Sequence, residues 1–173
     1  MMNMRLLYRH LITLTLVVFS ALMVKAENLT VKTLFAEMPD EVIPYLTKTN
    51  RLDCIDFMES NMKAEVTNEF GGKSLMTALS NDSLSMRLNE ACRIDMFLLT
   101  TTQPVDGQQQ VVALLRSIMI DEKEMETDIE FYSVHWKKLT ETPSLVSADE
   151  ERIKDRTKTS NIINFIKERL KKD

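Results

Sequence analysis

The spacing of apolar residues changes once along this chain, near Lys63, and that change limits the fold more than any other feature. Before it, apolar residues recur every three or four positions, the period of a helix with one buried face. Thr30 precedes Val31, Leu34 and Phe35 and reads as an N-cap. Pro39 stops that segment, and Asp40 opens a second short helix through Val42, Ile43, Tyr45 and Leu46, with Pro44 awkward in its first turns. Asn50 caps a third, carrying Leu52, Ile55 and Met62. From Ala64 to Ser133 the period is two, as in strands. Gly71-Gly72, Asn81-Asp82, Asn89-Glu90, residues 103–108 and residues 121–123 divide this region into six strands. Turns so short allow antiparallel pairing only, because parallel neighbours need long crossovers. The expected fold is α+β: N-terminal helices packed on an antiparallel meander of about six strands, with a C-terminal amphipathic helix.

Residues 1–26 stand apart. Arg5, Arg9 and His10 precede a run from Leu11 to Met23 without charge, and Val24-Lys25-Ala26 ends on a small residue. That is a secretory signal pattern with cleavage expected after Ala26. The run is short of the ~20 apolar residues a spanning helix needs, so no transmembrane segment is expected after its removal. Three of the 22 basic residues and none of the 26 acidic ones leave with it, so the remaining chain has net charge −7. Nothing there favours nucleic acid as a partner.

Residues 27–139 form the expected domain. Residues 140–173 differ in composition. Residues 140–158 are polar, include Pro143, and read as a charged linker, although Ser147 and Glu150 have capping-box spacing. Ile162, Phe165, Ile166 and Leu170 mark the C-terminal helix.

The chemistry available is narrow. Three glycines supply neither a phosphate-binding loop nor a dinucleotide fingerprint. His135 is the one histidine beyond residue 26, which excludes a zinc site built on two or three histidines. It reads as a surface or packing residue beside Trp136. Cys54 and Cys92 are either a disulfide, favoured by an oxidising compartment, or two buried thiols. Asp53, Asp56 and Glu59 read as a solvated helix face. The most informative pattern is Glu122, Glu124, Glu126, Asp128 and Glu130: alternate positions that share one face of a strand, opposite Met125, Thr127, Ile129 and Phe131. Such a face must be wet. It is either a guarded sheet edge or an acidic docking surface for a cation or basic partner. No catalytic, cofactor-binding or metal-ligating residue is assigned, and no cofactor is expected.

The stretches LFAEMPDEVIPYLTKTNRLDCIDFMESN, EFGGKSLMTAL, SNDSLSMRLNEA, RIDMFLL and DIEFYSVHWKKL span residues 34–139. They resemble an uncharacterised family of exported proteins of Bacteroidales bacteria, a domain of unknown function. The resemblance implies a periplasmic or envelope location in a Gram-negative cell and carries no activity. The reading of function is an exported envelope module that binds a ligand or partner without catalysis. The alternatives are a carboxylate-based envelope hydrolase, for which two acids suffice, and a structural component of an envelope assembly.

Overall fold

The computed structural model describes residues 29–121 and 123–157. The signal pattern and the helix expected from Asn161 therefore lie outside the described residues. Helix α1 (Val31–Ala36) starts at Thr30, whose hydroxyl accepts from the Thr33 amide while the Thr33 hydroxyl accepts from the Thr30 amide. Each helix begins with orphan donors, and this reciprocal cap satisfies two of them. Helix α2 (Lys48–Glu59) repeats the device with Thr47 and Asn50, three residues before the expected cap. The second short helix expected at residues 40–46 is instead a series of turns, Val42 N to Pro39 O (3.1 Å) and Leu46 N to Ile43 O (3.1 Å). A proline lacks the donor that helix propagation needs, and Arg51 shapes the segment from behind. Its side chain is 1% exposed, and its guanidinium donates to Asp40 Oδ1 (2.7 Å), Leu46 O (2.7 Å) and Met38 O.

The strands are β1 (Glu65–Thr67), β2 (Lys73–Leu79), β3 (Ser83–Arg87), β4 (Cys92–Val105), β5 (Gln108–Ile120) and β6 (Lys123–Ser133). They form one antiparallel meander in sequence order. Asp106-Gly107, both at positive φ (48° and 78°), closes the β4–β5 hairpin, a pairing that suits the mirror-image turns hairpins favour. Residues 111–115 of β5 are fully buried, so both faces of the sheet are covered there.

On one face Met76, Leu84, Met86, Ile94, Met96, Leu98, Val112 and Leu114 pack with Val31, Leu34 and Phe35 of α1 and Cys54 and Ile55 of α2. On the other face Phe97, Leu99, Val111, Ala113, Leu115 and Phe131 form a smaller cluster with Leu145.

Residues 144–157 differ from the linker that composition suggests. β4 outlasts β3, and its free edge takes up the chain: Thr102 N donates to Ser144 O (2.8 Å), and Val146 N to Thr100 O (3.0 Å). Helix α3 (Ser147–Thr157) then lies across the smaller cluster. It lacks an apolar stripe, as its sequence indicates, and is held by polar anchors. Asp149 Oδ2 accepts from Thr100 N (2.8 Å), Arg152 reaches Asp82 (2.9 Å) and stacks over Phe97 (4.6 Å to the ring centre), and Arg156 pairs with Asp95.

Candidate functional site

The five alternating carboxylates map to the β5–β6 hairpin, and the structure divides them. Glu122 lies outside the described residues. Leu114 pairs with Glu130, Arg116 with Asp128 and Ile118 with Glu126, but the next pair is Met119 with Glu124. Met125 is therefore the extra residue of a β-bulge, and it is 1% exposed. An extra residue reverses the alternation, so Glu124 faces the α3 side while Glu126, Asp128 and Glu130 face the α1/α2 side. The expected single acidic face is corrected accordingly.

Each carboxylate then meets its own surroundings. Glu124 is half-buried, accepts from the Thr127 hydroxyl (2.9 Å) and lies 3.7 Å from Arg156. Glu130 is half-buried between Arg116 and Lys138 and accepts from the Tyr132 hydroxyl (2.9 Å). Arg116 also donates to Val42 O (2.7 Å), tying this network to the turns after α1. Burial opposes ionisation of Glu130, yet hydrogen bonds from Lys138, Arg116 and Tyr132 outweigh it and hold the carboxyl at about 2. It therefore stays ionised near neutral pH and has no proton to donate. Glu126 and Asp128 remain exposed, and neither has an ion-pair or hydrogen-bond partner among the described residues. Ile118, beside Glu126, is 48% exposed. A space of about 270 Å³ opens along the outer side of β6, lined by Asp128, Glu130, Lys138, Thr140, Glu141 and Thr142 among others.

A second polar cluster was missed in the sequence. Asp95 is 1% exposed on the α3 face and accepts from Arg93 (2.8 Å), Arg156 and Ser85. Its signal was available: a lone carboxylate within the run from Ile94 to Leu99. A buried charge needs partners, but the nearest candidate in sequence, Arg93, is only part of the answer. Arg156 lies 61 residues away.

The model of a protein of unknown function (DUF3256) matches residues 21–172, most of the chain. This chain belongs to that family. The match runs through α3 and past the end of the described residues. The DUF3256 chain is also similar to a solved structure, a domain of an uncharacterized protein from Porphyromonas gingivalis W83, at 17% identity and a TM-score of 0.48. That likeness covers 63% of this chain and 52% of the other, so the chain spans about half the length of the solved one. No curated protein matches it.

The remaining candidates in this DUF3256 chain are dispersed. His135 is exposed at the end of β6. Cys54 and Cys92 are free thiols. Burial, with a smaller contribution from Asp53, pushes the Cys54 thiol up to about 12, so it is a poor nucleophile. Burial also raises the Cys92 thiol, against the pull of Arg116. Asp53 is half-buried, and Asp56 and Glu59 are exposed, with Glu59 paired to Lys32. Among the described residues no group of three His, Cys, Asp or Glu side chains is placed to hold a metal ion. No helix among them is long and apolar enough to cross a membrane.

Proposed function

We propose that this chain is an exported module of the cell envelope that binds a partner without catalysing a reaction on it, through the acidic outer strand of its sheet. One observation carries the reading: on a strand where Glu124 and Glu130 are engaged by basic or hydroxyl groups, Glu126 and Asp128 stand exposed and unpartnered. Exposed carboxylates beside an apolar side chain, here Ile118, suit a basic partner with some apolar surface. The signal pattern of residues 1–26 supports export. The hydrolase alternative needs one carboxyl that carries a proton at working pH, and Glu130 is held ionised in this hairpin.

Two measurements test the reading. N-terminal sequencing of protein recovered from the periplasm should begin at Glu27. Met1 retained in a membrane fraction would sink the export reading. Binding of the chain to immobilised poly-lysine should fall several-fold in Glu126→Gln/Asp128→Asn and stay near wild type in the charge-matched control Asp53→Asn/Asp56→Asn. Equal losses in the two variants would show that net charge, not this surface, does the binding.

A further inference from the structure

Strand β6 is the outer strand of the sheet, and its backbone shows which groups it offers. Leu139 N donates to Phe131 O (2.8 Å) and Ser133 N donates to Lys137 O (2.9 Å), so the chain after β6 folds back along its outer edge for a few residues. In an antiparallel strand, alternate residues turn both N–H and C=O to the same edge. Phe131 and Ser133 turn theirs outward, so Thr127 and Ile129 do too. There the returning chain has moved away, leaving the space beside Asp128 and Glu130. No backbone hydrogen bond reaches Thr127 or Ile129 from that side among the described residues. The bulge at Met125 closes the free stretch at one end and the Leu139 pairing closes it at the other.

We infer that residues 126–130 are a site of strand addition for an extended, basic segment of another protein, one with Lys or Arg at alternate positions. This rests on the acidic docking surface proposed above and names its partner. An added strand would pair with the open N–H and C=O groups of Thr127 and Ile129. Side chains of neighbouring strands lie side by side on the same face, so residues two apart in the incoming segment sit beside Glu126 and Asp128. Both carboxylates lack partners, and Lys or Arg supplies them. A second copy of β6 is a poor occupant, because it would set like charges side by side at the same positions. The edge is thus closed to itself and open to a strand of opposite charge.

The test uses the full chain and three synthetic peptides capped at both ends: KVKTKVK, the same peptide N-methylated on alternate backbone amides along its pairing edge, and EVETEVE. KVKTKVK is expected to bind at least tenfold more tightly than its N-methylated form, which keeps the charge and loses the donors. It should slow amide hydrogen exchange at Thr127 and Ile129, and EVETEVE should not bind. Glu126→Lys/Asp128→Lys, with an otherwise unchanged amide spectrum, should reverse the preference between KVKTKVK and EVETEVE. Equal binding of KVKTKVK and its N-methylated form would overturn strand addition and leave the acidic surface standing. No binding of either basic peptide would overturn the acidic surface itself.

Discussion

On one face of the sheet, α1, α2 and the turns between them bring Val31, Leu34, Phe35, Met38, Ile43, Leu46, Cys54 and Ile55 down onto the strands, all buried. On the other, α3 contributes Ile153, partly buried, and otherwise holds by Asp149, Arg152 and Arg156. The first seal is made of apolar area, which is non-directional and tolerates small shifts. The second is made of a few directed contacts between charges, which salt and single substitutions weaken one at a time. The same sheet therefore has one face that gives way only with the whole fold and one whose cover is fastened at separate points.

The largest effect should come from the apolar seal. Phe35→Ala removes a ring with no exposed surface and should cost about 3–5 kcal/mol in urea unfolding. A cost under about 1 kcal/mol would mean that α1 is not part of the cooperative core.

Next is Asp95→Ala, which leaves Arg93 and Arg156 without their shared carboxylate. Both arginines are about a third exposed and can recover water, so roughly 2 kcal/mol is expected, less than for a fully buried pair. The comparison sharpens if the loss is local: amides of α3 should exchange faster while those of α2 do not.

Glu130→Gln should cost about 1–2 kcal/mol near neutral pH, because Arg116 loses a partner while half-buried. The sign with pH follows from the depressed carboxyl. Its contribution is complete above the ordinary value of 4.5 and is lost as pH falls through about 2. Wild type and variant should therefore converge in stability between about pH 4.5 and 2. A gap that stays constant across that range would mean that the carboxylate charge is not what Arg116 and Lys138 read.

The smallest effect is Arg152→Ala, on a side chain about a third exposed, at about 0.5–1 kcal/mol. Most of its ionic share should vanish in 1 M NaCl, whereas the cost of Phe35→Ala should not fall with salt. Salt insensitivity of Arg152→Ala would assign its role to the stacking over Phe97 instead.

The apolar side of this contrast was legible in the sequence and the ionic side was not. Val31, Leu34 and Phe35 behind Thr30, and Leu84, Met86 and Leu88 in alternation, show their period without reference to the rest of the chain. Residues 144–157 carry no period that betrays docking, since what orders them is a leftover edge of β4 and carboxylates at positions 82 and 95. Such pairings are long-range facts that composition cannot supply. The acidic alternation misled for a different reason. Residues 123–131 read without interruption, and nothing in their identities marks Met125 as surplus. A bulge depends on how two strands are matched in length, which only the partner reveals.

That surplus residue makes the hairpin a phase-sensitive code. Substituting Met125 alters packing at one point, but giving it a partner, through one residue added to β5 between Ile118 and Met119, would alter meaning along the strand. With alternation restored in that way, Glu124 would turn to the side of Glu126, Asp128 and Glu130, and Arg156 would keep Asp95 alone. The apportioning of negative charge between the two sides of this sheet is thus set by a count of residues, and a single-codon insertion in β5 would redraw it where a point substitution could not.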